Sequence, residues 1–282
     1  MSSDSPAVQE DVGQVAAFMA AAIRQLGGFA VPSRTPVLDF GCGQGHLVHA
    51  LSRLGYDVRG CDIPAAWAGA EPPASRGLSA IALDPYRLPF DARTFDVVIS
   101  TSVLEHAQNK AECFREIHRV LKPGGTAMHI YPGKWYLPCE PHIFVPLVNF
   151  LWPDCPKWWL GLWAMLGVRN AFQRGQSWRA VAEMNFRYCR EGLSYWSTRQ
   201  YKELSLQVFG NCRWPMRFYL DHAHGGSARL FKQLPCKALS GRLSKEVRMG
   251  FMVQQKAMEG APAAAKARGR EFSVTSEGPD GS

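Results

Sequence analysis

Apolar residues along this chain change their spacing in a regular way. Val8, Val12, Val15, Met19, Ile23 and Leu26 recur at three- and four-residue steps. That is one face of an amphipathic helix, opened by Ser5-Pro6 and stopped by Gly27-Gly28. Short apolar runs follow at Val37-Leu38, Tyr56 to Cys61, Leu78 to Leu83, Phe95 to Ser100 and Thr126 to Tyr131. Helix-like segments stand between some of them, at His46 to Leu54 and at Ala111, Phe114, Ile117 and Leu121. Asn109 with Glu112 resembles a capping box for the second, and Lys122-Pro123-Gly124-Gly125 stops it. Strands alternating with helices predict an open parallel α/β sheet, whose ligands sit beyond the carboxyl ends of the strands.

The alternation stops after Tyr131. Residues 132–195 hold six of the nine tryptophans, and the run from Ile143 to Gly167 is strongly apolar. Pro153, Asp154, Pro156 and Lys157 divide that run into halves shorter than the roughly 20 apolar residues of a membrane span. It reads first as a helical pair packed on the sheet. A hydrophobic lid and an interfacial membrane patch are the two functional alternatives, and Arg169, Arg174 and Arg179 suit either. Ser197 to Gln200 opens another helix, ended by Gly210. Asn211 to Leu220 and Glu246 to Gln255 alternate enough to predict two further strands. Residues 259–282, rich in Ala, Gly, Ser, Pro and Glu, read as a disordered tail.

Composition narrows this picture only modestly. At 282 residues and 46% apolar, the chain can bury one large domain, taken as 1–258 with 132–195 as an insertion. Net charge is +8, but the basic residues are dispersed, so a solvated basic face is the simplest reading and nucleic acid is not the favoured partner. The eight cysteines form no CxxC pair, which argues against a zinc ribbon. Residues 1–10 lack a secretory pattern, so the expectation is cytoplasmic, with membrane association as the alternative.

The chemistry concentrates at the first strand. Val37-Leu38-Asp39-Phe40-Gly41-Cys42-Gly43-Gln44-Gly45 is an apolar run ending in an acid, then alternating glycines ahead of a helix. Glycine permits positive φ and lets backbone lie against a ligand. Asp62 lies 23 residues past Asp39, where the second strand of a strand-helix-strand unit ends, and an acid there can accept both ribose hydroxyls. The loop has no P-loop lysine, and His46 stands where a dinucleotide fingerprint wants its third glycine.

Six pieces occur in order: residues 37–45, Gly60-Cys61-Asp62-Ile63, Leu88-Pro89-Phe90-Asp91, Phe95-Asp96-Val97-Val98, Leu104-Glu105-His106, and Arg119 to Gly125. Together they resemble class I S-adenosylmethionine-dependent methyltransferases of the bacterial small-molecule type. The resemblance covers residues 30–131 well and 197–256 loosely. It implies a Rossmann-like, doubly wound, seven-stranded sheet of order 3-2-1-4-5-7-6 with the last strand antiparallel. It also implies that Asp39, Gly41, Gly43 and Gly45 cradle the methionine end of the cofactor, that Asp62 holds the ribose, and that Asp84 and Pro85 border the adenine. Ser100 joins this set by its place at the end of the fourth strand.

Methyl transfer to a hydroxyl needs a base. His106, past the end of the fourth strand, is one candidate; capping the next turn or orienting the cofactor is its alternative role. Glu140 and His142 are a second pair, either reaching the substrate or fixing the loop's path. The two Glu/His pairs could also hold a divalent metal, a minor reading, and no metal is assigned. Ser100-Thr101-Ser102-Val103 is not the Asn/Asp-Pro-Pro-Tyr/Phe of amino-methylating nucleic acid enzymes. The expected activity is therefore methylation of a small hydrophobic or aromatic molecule, with oxygen favoured. An RNA-modifying enzyme and a non-catalytic cofactor-binding protein with a membrane or partner contact are the alternatives.

Overall fold

The computed structural model describes residues 6–67, 77–224 and 231–259. Ser5, residues 68–76 and 225–230, and the tail from 260 lie outside the described residues.

Among the described residues eight strands occur: β1 (Pro36–Phe40), β2 (Asp57–Asp62), β3 (Leu78–Ala80), β4 (Ala82–Leu83), β5 (Tyr86–Arg87), β6 (Phe95–Thr101), β7 (Leu121–Pro132) and β8 (Met249–Gln255). Six make one sheet of order β3-β2-β1-β6-β7-β8, while β4 and β5 form a separate hairpin. Every pair in the large sheet is parallel except β7 with β8. The expected Rossmann-like order is therefore present, with one strand fewer than seven among the described residues.

Alternation along each strand assigns side chains to two cores. Val37, Val97, Ile99, Met128 and Phe251 face one side, against α1 (Pro6–Gln25), α2 (His46–Arg53) and a later helix. Leu38, Val98, Ala127 and Met252 face the other, against α3 (Lys110–Val120). At the start of α3 the Asn109 side chain does not cap the helix; its amide instead donates to Glu112 Oε2 at 2.8 Å.

Between β7 and β8 lies the insertion. It carries α4 (Val148–Leu151), α5 (Lys157–Met165) and α6 (Trp178–Arg187), followed by a π-turn over Tyr188–Gly192. These pack around a third core of Ile143, Val145, Val148, Cys155, Leu160, Cys189, Leu193 and Tyr195. Among the described residues no helix is long and apolar enough to cross a membrane. Then α7 (Thr198–Phe209) begins at a capping box made by Ser197 and Gln200 and ends at left-handed Gly210, as its sequence predicts.

The strand expected over Asn211 to Leu220 does not form. Only Arg213 bridges to the sheet, at Val253, and α8 (Met216–His222) follows at once. Pro215 has no N–H to extend a ladder, and Met216, Tyr219 and Leu220 recur at helical spacing. They bury in the first core, where Tyr219 and Phe218 meet the Phe18 ring edge-on. Another helix, Lys237–Val247, precedes β8, so the strand expected from Glu246 begins at Met249.

The third expected strand is also divided: β3 stops at Ala80 and the chain turns into the β4–β5 hairpin. Phe251 ties β8 to α1 through an edge-on contact with Phe18 at 5.1 Å and is fully buried. Phe251→Ala is expected to cost about 3–5 kcal/mol in urea unfolding; a loss below about 1 kcal/mol would mean that this aromatic cluster does not anchor β8.

Candidate functional site

The loop from β1 to α2 is held by backbone bonds to the end of β2. The Gly41 and Cys42 N–H groups donate to the Cys61 carbonyl at 2.8 and 3.2 Å, and the Gly43 N–H donates to Asp62 Oδ2 at 2.7 Å. Gly41, Gly43 and Gly45 all have positive φ. A Cβ on Gly41 would collide with the Val103 side chain, and one on Gly45 would lie 2.9 Å from a Leu78 methyl. Gly41 and Gly45 are therefore required by close approach as well as by conformation, and Gly43 by conformation alone.

Asp39, on β1 beside Gly60 and Ile99, is buried. Burial, reinforced by the negative charge of Asp62, raises its pKa to about 7. Asp62 is half-buried and accepts a second bond from the Ile63 N–H at 2.7 Å. Burial raises its pKa too, while the Gly43 and Ile63 bonds pull it back. Two acids thus share one small volume with the glycine loop. Asp84 and Pro85 stand exposed at the turn of the β4–β5 hairpin, which leaves the rim where the Ile81 N–H bonds the Asp62 carbonyl.

The Ser100 side chain is not part of this cradle. It is fully buried, and its hydroxyl lies 2.7 Å from His129 Nδ1. His129 Nε2 meets Gln254 Oε1 at 3.2 Å, and the Gln254 amide donates to Ser205 at 2.6 Å. As the sixth residue of β6, Ser100 points into the second core, so its place at a strand end misleads.

Beyond β6 the chain turns at Ser102, whose φ is 53°, and runs against the glycine loop through Val103. Glu105 and His106 follow. His106 Nδ1 meets the Gly192 carbonyl at 2.8 Å; a carbonyl only accepts, so Nδ1 carries the proton and a neutral ring leaves Nε2 as an acceptor. Burial lowers the His106 pKa, with the Gly192 bond opposing. The His142 ring lies edge-on to it, centroids 4.8 Å apart.

Glu140 holds His142. One oxygen accepts from His142 Nδ1 at 2.7 Å and from the Tyr195 hydroxyl at 2.9 Å; the other accepts from the His142 and Ile143 N–H groups at 2.7 and 2.8 Å. Burial alone would raise the Glu140 pKa, but His142 and these N–H groups hold it below the usual value. Burial likewise opposes a charged His142, yet the Glu140 bond and charge raise its pKa. With both oxygens doubly bonded, Glu140 orients His142 rather than meeting a substrate itself. Glu105 is the opposite case: neither buried oxygen has a hydrogen-bond partner, and burial raises its pKa to about 7.

The end of the insertion is stitched to this segment. The Ser194 N–H bonds the Glu105 carbonyl at 2.6 Å, and buried Lys110 donates to the Ala107 and Ser194 carbonyls at 2.7 and 2.6 Å. The structure therefore brings together His106, Glu140 and His142 as the sequence suggests, and adds Tyr195, Lys110 and Gly192. No spacing in the sequence connects those three to the site, because their partners lie more than 50 residues away in the chain or act through backbone carbonyls.

Residues 38–129 match the family model described as a methyltransferase domain. Among curated proteins, a sterol 4-C-methyltransferase of Caenorhabditis elegans is 36% identical over 94 residues, covering 31% of this chain and 28% of its own length. A ubiquinone biosynthesis O-methyltransferase of Pseudomonas aeruginosa is 35% identical over 99 residues, covering 32% and 40%. The chain thus spans well under half the length of these relatives. Among solved structures, an S-adenosylmethionine-dependent methyltransferase from Mesorhizobium loti is 14% identical with a TM-score of 0.47, covering 86% of this chain and 100% of its own. The family match takes in Asp39, Asp62 and His106 and ends before Glu140, His142 and Tyr195.

The buried acid gives a test. The folded pKa of Asp39 lies above its unfolded value of 3.8, so from about pH 4 to about pH 7 the folded chain keeps a proton that the unfolded chain has released. Stability from this group is full below that interval and is lost as pH rises through it. Asp39→Asn avoids the loss, so its stability relative to wild type is expected to increase between about pH 5 and about pH 8 in urea unfolding at each pH. A difference that does not change with pH would refute the raised pKa.

Proposed function

We propose that this chain, in which residues 38–129 are a class I methyltransferase domain, transfers a methyl group from S-adenosylmethionine to an oxygen of a small hydrophobic or lipid-like molecule. The observation that carries the reading is the contact of Val103 with Gly41, which sets Glu105 and His106 beside the acid-bearing glycine loop on one rim of the sheet. Methyl transfer requires such adjacency, since the acceptor must be held in line with the sulfonium.

The cofactor is a cation without phosphate, which suits a loop that carries two carboxylates and no lysine. In this reading Asp39 and the glycines take the methionine end, Asp62 accepts the ribose hydroxyls with the lone pairs its two backbone bonds leave over, and Asp84 with Pro85 edges the adenine. His106 Nε2, held as an acceptor by the bond at Nδ1, can receive the proton of an acceptor hydroxyl.

The insertion supports the acceptor class. It leaves Phe172 89% and Trp158 70% exposed, with Met165 and Leu166 also open, and Trp158 and Met165 share a surface pocket with Lys157 and Arg179. Exposed apolar residues rimmed by cations favour a lipid-like acceptor met at a membrane surface by a peripheral, cytoplasmic protein.

Incubation with methyl-labelled cofactor and separated metabolite, lipid and RNA fractions tests this. Label is expected in the organic-extractable fraction; label in RNA would overturn the acceptor class, and cofactor binding without label transfer to any fraction would overturn the activity. Hydrogen bonds to a charged acceptor contribute about 1.5–3 kcal/mol, so Asp62→Ala is expected to weaken cofactor binding by about tenfold or more in calorimetry. Unchanged affinity would remove Asp62 from the ribose role. His106→Ala is expected to bind cofactor normally and lose turnover.

A further inference from the structure

We propose that Glu105, His106 and His142 form a binding site for one first-row divalent transition-metal ion. One donor atom from each of the three lies within 4.8 Å of the others. The two rings are also oriented as metal ligands need. Both histidines spend Nδ1 on an acceptor, His106 on the Gly192 carbonyl and His142 on Glu140, so the nitrogen left with its lone pair is Nε2 in each.

A carboxylate behind a ligating histidine fixes the ring and raises its basicity, and here that carboxylate is itself held by Tyr195 and two backbone N–H groups. Glu105 supplies the third donor. Its buried carboxyl has no partner among the described residues, although burying an unpaired polar group costs about 1–3 kcal/mol or more. Lys110 makes no hydrogen bond to it: its Nζ donates to the Ala107 and Ser194 carbonyls, and it favours the ionised carboxylate only through charge. A cation placed between the three satisfies the carboxylate.

Two imidazoles and one carboxylate are the donor set of open, three-ligand sites for zinc and similar ions. Donors at about 2.1 Å in a tetrahedral arrangement stand about 3.4 Å apart, so closing the cluster asks for side-chain movement on the order of 1 Å. The His142 side chain is 31% exposed, which leaves a way in from the acceptor side. The fourth position would take an acceptor oxygen. That last role rests on the proposed methyl transfer; the ion site itself does not.

The full chain, stripped with a chelator and dialysed, is titrated with Co2+ followed by its visible ligand-field absorption, and with Zn2+ by calorimetry, in the absence of cofactor and acceptor. One saturable equivalent is expected. Glu105→Gln and His142→Ala are each expected to weaken it by at least tenfold, while His49→Ala, on the exposed side of α2, leaves it unchanged. Cofactor binding and the far-ultraviolet circular dichroism of each variant separate a lost ligand from a lost fold. No saturable binding to the wild type, or equal binding by a folded Glu105→Gln, would overturn the site and leave the three residues as a metal-free proton-transfer cluster. Because the titration contains neither cofactor nor acceptor, the metal site and the methyl-transfer reading can fail separately.

Discussion

Everything in the site depends on how closely the β1–α2 loop is gripped. Gly41 lies under Val103, Gly45 under Leu78, and a Cβ on Gly60 of β2 would come within 2.7 Å of Cys42 Sγ. The loop is thus wedged between the ends of β2 and β3 on one side and the segment after β6 on the other. This grip sets the distance between the two halves of the rim, because the turn at Ser102 that carries Glu105 and His106 begins at the same contact. A side chain at any of the three glycines would push those halves apart. Close backbone approach, more than the chemistry of a bound molecule, is the first demand on the motif.

Four carboxylates crowd this rim, and their surroundings make them different groups. Glu140 has four hydrogen bonds and stays ionised. Asp62 has two, both from backbone N–H groups. Asp39 is buried beside Asp62, and Glu105 is buried with no partner; both are raised to about 7. Burial penalises the charged form, and a nearby cation reverses the penalty. The two groups raised to about 7 sit at opposite ends of the rim, Asp39 by the glycine loop and Glu105 by the histidines.

The sequence carried the sheet core well because strands β1, β2, β6 and β7 are short apolar runs punctuated by glycine, proline or an acid, a local signal. It carried the loop and the acids at 39 and 62 for the same reason. The strand expected after Asn211 failed because alternation there was read across Pro215, while Met216, Tyr219 and Leu220 follow the helical period and find a core against α1. Ser100 misled because position along a strand does not say which face a residue takes. Glu105 came into view only as the neighbour of His106, since an orphaned carboxyl is a property of three-dimensional surroundings. Tyr195, Lys110 and Gly192 were invisible in sequence because their roles are single contacts across the chain.

The face that Ser100 takes matters to the site all the same. Gln254 presents its oxygen to His129, so His129 Nε2 donates and Nδ1 accepts the Ser100 hydroxyl proton. The Gln254 amide donates onward to Ser205, whose hydroxyl donates to the Tyr201 carbonyl at 2.6 Å. Every donor has an acceptor and no charge is needed; burial lowers the His129 pKa to about 4, which keeps the ring neutral. This neutral chain links β6, β7, β8 and α7 in one register, with Ser100 opposite His129. Slipping β6 by one residue would turn Ser100 out of the second core and break the chain at its first bond. The same slip would move the end of β6, and with it the height at which Glu105 and His106 leave the sheet. A buried polar relay away from the glycine loop thus fixes where Glu105 and His106 leave the sheet.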